Sequence, residues 1–120
     1  MDGAETQRPQ PPQALAGESL DEWHRICGEL DKLGFLNLAD RAMITIYCQV
    51  WQANQEAARH VAQYGAIVRF NNGVIGQSPQ FKTQQETARL LIGLLGKLGM
   101  SPAARDFDQG KSDDAGTLEF

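Results

Sequence analysis

A single long helical pattern constrains the fold of this chain more than any other feature. Between Asn37 and Gly65, apolar residues recur at three- and four-residue spacing, which predicts one amphipathic helix of about 27 residues. At 1.5 Å per residue such a helix spans about 40 Å, which is longer than the core of a small domain needs. We therefore expect it to project beyond the core. Its apolar stripe consists of Met43, Ile46, Tyr47, Val50, Trp51, Ala57, Ala58, Val61 and Tyr64.

Capping signals place a helix before the long one and set the start of the long helix itself. Ser19 and Glu22 have the spacing of a capping box, which predicts a first helix over residues 20–33. Asn37 suits the N-cap of the long helix, and Gly65 suits its C-terminal end.

The second half of the chain contains a hairpin signal and two further helix starts. The Asn-Asn-Gly sequence at residues 71–73 tolerates the positive φ angles of a tight turn, so it predicts a β-hairpin. Ser78-Pro79 combines an N-cap with a proline at the first helical position, which predicts a third helix ending near Leu98. The same signal recurs at Ser101-Pro102 and predicts a short fourth helix to about Phe107.

The chain is expected to have one folded core between two disordered ends. Residues 1–18 are polar and rich in proline, while residues 108–120 are acidic and contain little that is apolar. Neither end can bury enough apolar area to offset the entropy of ordering it. The sequence thus predicts a mainly α-helical core over residues 19–107, built of three main helices, a short β-hairpin and a short C-terminal helix.

The third predicted helix is apolar around nearly its whole circumference. A helix of this kind must be covered on all sides, and residues 19–107 provide little chain to do so. We therefore expect self-association, while a well-buried central helix remains the alternative. Gly93 and Gly96 would let another backbone approach closely. The expected oligomer contacts are Leu90, Leu91, Leu94, Leu95 and Leu98.

The sequence does not favour an enzyme or a metalloprotein. His24 and His60 fall on different predicted helices, and the chain lacks a nucleophile elbow, a phosphate-binding glycine loop and HExxH zinc spacing. Cys27 and Cys48 do not form a CxxC pair, so we expect reduced cysteines that serve in packing. We expect no catalytic residue, cofactor or metal. The absence of a long apolar run and of a signal-peptide pattern predicts a soluble intracellular protein without a membrane partner.

The net charge of −4 hides a mildly basic centre. Residues 37–107 carry seven basic and four acidic side chains, an excess that a solvated helical face would explain equally well. In a closed ring, however, every subunit repeats the inward-facing surface, so a small excess becomes a concentrated field. The basic side chains considered for nucleic-acid contact are Arg41, Arg59, Arg69, Lys82, Arg89, Lys97 and Arg105.

The order of several short motifs resembles the small subunit of phage terminases over about residues 20–107. Each fragment is only moderately specific, but the order and spacing together carry the resemblance. The motifs are Trp23, Leu33-Gly-Phe-Leu-Asn-Leu-Ala-Asp-Arg41, Tyr47-Cys-Gln-Val-Trp51 with Glu56-Ala57, a Tyr64-Gly65 hairpin, Ser78-Pro79 and Leu98-Gly-Met-Ser-Pro-Ala-Ala-Arg105.

The resemblance implies a non-enzymatic DNA-packaging protein that acts in the host cytoplasm as a ring of identical subunits. Such a protein binds the packaging start site on double-stranded viral DNA and delivers it to the ATPase and nuclease of the large terminase subunit. This chain departs from the family where a basic pair is expected on the third helix, because Ile92 and Gly93 stand there. The departure favours packing over DNA contact in that stretch, so the candidate DNA contacts become Arg41, Arg59, Arg69, Lys82 and Arg89.

Leu118 and Phe120 are expected to anchor the tail on a partner, since terminal segments in the family often engage the large subunit. A solubilising acidic tail without a specific partner is the alternative.

Two other functions remain open at the level of sequence. A helical protein-interaction adaptor without a nucleic-acid role would explain the negative total charge more simply. A helix-turn-helix regulator could use the first helix, the turn at residues 34–37 and the start of the long helix. Leu38, Ala39, Ala42 and Met43 would then offer little to read base edges.

Overall fold

The structure, a computed structural model, describes residues 8–100, and in that range it contains three helices and a two-stranded antiparallel sheet. The expected mainly helical fold with a hairpin is confirmed. The predicted fourth helix and the acidic tail lie outside the described residues. The elements in chain order are α1 (Glu18–Leu33), a 3₁₀ turn (Leu38–Asp40), α2 (Arg41–Tyr64), β1 (Ile67–Arg69), β2 (Ile75–Gln77) and α3 (Pro79–Lys97).

The start of α1 differs from the predicted capping box. Gly17 occupies the N-cap with a φ of 57°, and Ser19 lies inside the first turn. The Ser19 hydroxyl donates to the carbonyl of Ala16 at 2.9 Å and accepts from the amide of Ala16 at 3.1 Å. Glu22 is turned into the protein interior, so its carboxylate cannot cap the backbone. The capping box was therefore wrong, although α1 still ends where Gly34 adopts a left-handed conformation.

The segment before α1 packs against the helices over the part that the structure describes. Leu15 is only 5% exposed and belongs to the core. The backbone carbonyl of Gln10 accepts a hydrogen bond from Nε of Arg41 at 2.8 Å, and Arg8 pairs with Asp31 at 3.1 Å. The structure thus differs from the expected disordered arm over residues 8–18, because one apolar side chain in a polar segment is enough to tie it to the core.

Local capping determines the start of α3 as predicted, whereas Asn37 caps a 3₁₀ turn and the N-cap of α2 is Asp40, which makes no side-chain capping bond. The Asn37 side chain accepts from the amide of Ala39 at 2.8 Å and opens the 3₁₀ turn, which continues directly into α2. The long helical run is confirmed, with 24 residues in α2 after the 3-residue turn. Ser78 accepts from the amide of Phe81 at 3.0 Å, and Pro79 is the first residue of α3.

The hairpin forms around the predicted turn. β1 and β2 pair antiparallel, with Val68 opposite Gly76, and Gly73 adopts a φ of 86° that an L-residue rarely takes. The amide of Ser78 donates to the carbonyl of Ala66 at 2.8 Å, which fastens the base of the hairpin to the start of α3.

The core lies at one end of the molecule, where α1 crosses the first half of α2 and the end of α3. Both cysteines are free and completely buried there, as the packing prediction required. Burial raises the pKa of Cys27 to about 11 and that of Cys48 to about 12, so both thiols stay protonated at neutral pH. The buried core residues are Leu15, Trp23, Ile26, Cys27, Leu30, Ile44, Tyr47, Cys48 and Leu98.

A buried polar cluster joins α1 to α2 beside this core. Glu22 is 4% exposed, and its carboxylate accepts from the Tyr47 hydroxyl at 2.6 Å and from Nε of Arg25 at 2.8 Å. Burial, followed by the hydrogen bond to Glu22, raises the pKa of the Tyr47 hydroxyl well above its usual value. A buried carboxylate without these partners would be costly, so the cluster fixes how the two helices meet.

The other half of the molecule projects away from the core. The extents are 60 × 42 × 19 Å and the radius of gyration is 18.1 Å. A compact domain of 120 residues has a radius of gyration of about 14 Å. The second half of α2, the first half of α3 and the hairpin form this projection, because the hairpin connects the two helix ends that lie away from the core. Within residues 8–100, no helix has the length and apolarity required to cross a membrane.

Candidate nucleic-acid interface

Two of the five predicted DNA contacts are engaged within the chain. Arg59 holds the carboxylate of Glu18 through two hydrogen bonds of 2.7 and 3.0 Å, and these bonds lower the pKa of Glu18. Arg41 donates to the carbonyl of Gln10. Both side chains are exposed, but the charge of Arg59 is already compensated by a neighbouring carboxylate. Neither residue therefore offers DNA its full hydrogen-bonding capacity.

Lys82 and Arg89 lie on the outer face of α3. They are seven residues apart, about two helical turns or ~10 Å, so they point in the same direction. Thr87 is buried against α2 through a hydrogen bond from Asn54 to its hydroxyl, and it lies on the opposite side of the helix. Both basic side chains are exposed, and within the described part of the chain neither forms an ion pair.

Arg69 lies at the same end of the molecule as Lys82. It sits on β1 opposite Ile75, and its guanidinium makes one long contact of 3.4 Å with the carbonyl of Gly73. The hairpin is attached to the start of α3, so the projecting end carries Arg69 and Lys82, while Arg89 lies nearer the core. The structure thus brings two of the five predicted cations, Arg69 and Lys82, to the projection, and Arg89 lies further along α3. None of the three has a carboxylate partner among residues 8–100.

The predicted oligomer contacts have different environments. Leu98 is buried in the chain's own core, while Leu91, Leu94 and Leu95 pack against it and are half-buried. Leu90 is 55% exposed and remains free for another copy. An Asp substitution at Leu91 or Leu94 would damage the core of the single chain, so it would not test assembly.

Ile92 is an exposed apolar residue that is not among the predicted oligomer contacts. It is 69% exposed, more than any other large apolar residue in the described range. No local signal distinguishes it from the other apolar residues of the helix, because the packing of α3 against α2 determines which side of the helix carries the buried Thr87 and Leu98.

A groove of about 280 Å³ lies between α2 and α3 in the projecting half. Its lining is mostly small or polar, and within residues 8–100 no cluster of potential metal ligands exists there or elsewhere. The rings of His60 and Tyr64 lie with their centroids 4.6 Å apart and are tilted by 44°, far along α2 from the core. The groove is lined by Ala53, Glu56, Ala57, His60, Gln80 and Thr83.

The fold and its exposed basic side chains define a small helical module with a projecting, cation-bearing helix pair. A family model of the phage terminase small subunit matches residues 20–114, and the chain belongs to this family. The resemblance inferred from motif order is thereby confirmed. Comparisons with curated proteins and with solved structures found no match. Family membership supports a role in phage DNA packaging, in which small subunits are generally non-catalytic regulators.

Proposed function

We propose that the chain forms a homo-oligomeric ring in the host cytoplasm that binds double-stranded viral DNA at the packaging start site. The ring recruits the large terminase subunit and regulates its ATPase and nuclease. The observation that carries this proposal is the presence on the projection of Arg69 and Lys82, with Arg89 further along α3, in a chain of this family. None of these three cations forms an ion pair within residues 8–100. Free guanidinium and ammonium groups on a protruding element can reach phosphates without breaking internal ion pairs.

The net charge of −4 requires that these cations act together. A single chain would be repelled by DNA at most of its surface, and three cations give weak binding on their own. A ring places one such group from every subunit on one surface, so that binding grows with the number of subunits. Exposed apolar side chains at Leu90 and Ile92 support association, because they would otherwise remain in water.

The proposal is tested by the native mass of the assembly together with duplex binding across a salt series. We expect a homo-oligomer of several subunits at micromolar concentration, and an affinity for duplex DNA that falls linearly with salt on logarithmic axes. A monomer that fails to bind duplex DNA at low salt would contradict the proposal and favour the adaptor function.

The acidic tail provides the contact with the large subunit in this proposal. Leu118 and Phe120 supply apolar anchors, and the preceding acidic residues would steer them to a basic surface. Deleting residues 109–120 is expected to leave native mass and DNA affinity unchanged while reducing stimulation of the large subunit's ATPase. If the truncated protein stimulates the ATPase fully at matched concentration, the docking surface lies on the folded part of the chain and not on the tail.

A further inference from the structure

The projecting half of the α2–α3 pair is poorly filled. The amide of Asn54 joins the two helices through bonds of 3.1 Å to the carbonyl of Gln84 and 2.9 Å to the hydroxyl of Thr87. Nδ1 of His60 and Oε1 of Gln84 are buried there without a hydrogen-bond partner in the described residues. The groove opens next to this polar seam, so one side of the helix pair has a concave surface.

The opposite side of the pair carries a protruding apolar side chain. Ile92 follows Thr83, which lines the groove, by nine residues, or about two and a half helical turns. Ile92 therefore faces away from the groove by about half a turn. The chain thus has a hollow on one side of α3 and a 69% exposed isoleucine on the other.

We propose that Ile92 of one copy inserts into the groove of a second copy, between Ala53 and Thr83. This inference rests on the proposed ring and specifies which surfaces close it. The small side chain of Ala53 and the short one of Thr83 leave the space that a branched side chain would fill. The occupant is a second copy, because Ile92 faces away from the groove of its own chain and cannot reach it.

Charge favours the same arrangement. Glu56 is the acidic residue among those that line the groove, and it is exposed. Its Oε2 accepts a hydrogen bond of 3.1 Å from the neutral amide of Gln52. Arg89 precedes Ile92 by three residues on α3, so it lies beside it and makes no ion pair within residues 8–100. Inserting Ile92 would bring this guanidinium towards the Glu56 carboxylate of the neighbour. Arg89 would then serve assembly, leaving Arg69 and Lys82 to DNA.

The geometry determines the kind of assembly as well as the contact. A hollow and a protrusion on opposite sides of one chain give a head-to-tail contact in which each copy uses both surfaces. Repeated head-to-tail contacts close into a ring when the rotation allows, whereas a two-fold contact stops at a dimer.

Cysteine cross-linking tests this contact directly. The variant that combines Ala53→Cys with Ile92→Cys is expected to form a ladder of covalent multimers under mild oxidation, seen on a non-reducing denaturing gel. Each single variant is expected to remain uncross-linked. Cys27 and Cys48 do not interfere, because they are buried and protonated. The matched control pairs Ala53→Cys with Ile75→Cys, since Ile75 is 59% exposed on the hairpin, and it should give no ladder.

A charge substitution provides the second measurement. Ile92→Glu is expected to shift the native mass to that of the monomer with unchanged helical circular dichroism, since the side chain is largely exposed in the single chain. Ile75→Glu should keep the assembly. If Ile92→Glu retains the assembly, or if Ile92→Cys cross-links by itself into dimers, the head-to-tail contact is wrong while the ring stands. If the native protein is a monomer, the ring itself fails.

Discussion

Reversing two charges at the projecting end, Arg69→Glu together with Lys82→Glu, is expected to lower duplex affinity by roughly tenfold or more near 0.1 M salt. The slope of log affinity against log salt should flatten by about one unit for each phosphate contact that the two side chains make. The effect is expected to be large because neither side chain is committed to an ion pair within residues 8–100. Salt titrations by fluorescence anisotropy measure both quantities.

Lys32→Glu is the matched control for this pair. Lys32 is exposed near the end of α1 and forms only a long ion pair of 3.7 Å with Glu29. The substitution changes the charge by two units, as each of the two reversals at the projecting end does, but it lies on α1. The native mass of all variants must be equal for the comparison to hold. If Lys32→Glu lowers the DNA affinity as much per unit of charge as the double variant does, the affinity depends on the net charge of the assembly. No particular surface would then be the binding site.

Sequence reasoning located most element boundaries because those boundaries depend on atoms close together in the chain. The Asn37 side chain caps an amide two residues away, and Ser78 caps one three residues away. Gly73 provides the positive φ of the hairpin turn, and this turn involves only the few residues between β1 and β2. Signals of this range are fully contained in the local sequence, so the tertiary structure had little scope to override them.

The predictions failed where a side chain was judged from its sequence neighbours but contacts residues far away in the sequence. Glu22 had the spacing for a capping box, but Tyr47, 25 residues away, holds its carboxylate in the interior. Leu15 belongs to a segment whose composition predicts disorder, yet the core provides a site for that one side chain. No local pattern identifies either partner.

The residues of the candidate site could be predicted from the sequence, but their spatial arrangement could be predicted only in part. The five basic residues could be named from sequence, but Arg59 is paired with Glu18 across 41 positions. That pairing depends on how α1 lies along α2, which the sequence pattern does not specify. The apolar circumference of the third helix was apparent as well, whereas the division into core-facing Leu98 and outward-facing Ile92 required the position of α2.

Trp23→Ala is expected to lower the free energy of unfolding by about 3–5 kcal/mol, the cost of emptying a large aromatic site in a packed core. Trp23 is 1% exposed and belongs to the cluster in which α1 meets α2 and the end of α3. Since small domains are stable by only about 5–15 kcal/mol, this one change should remove a large part of the total. Urea unfolding followed by circular dichroism measures the loss.

His24→Ala supplies the neighbouring control, because the same helix loses an exposed side chain and its stability should change by less than about 0.5 kcal/mol. Both variants must be compared at equal protomer concentration, since assembly adds concentration-dependent stability.

The core and the groove-bearing projection occupy different halves of α2, so Trp23→Ala acts on the single chain, whereas Ile92→Glu acts on the assembly. A loss below about 1 kcal/mol for Trp23→Ala would mean that α1 contributes little to the core. The fold would then rest on the α2–α3 pair, and the covering of that pair by neighbouring copies would become its main source of stability.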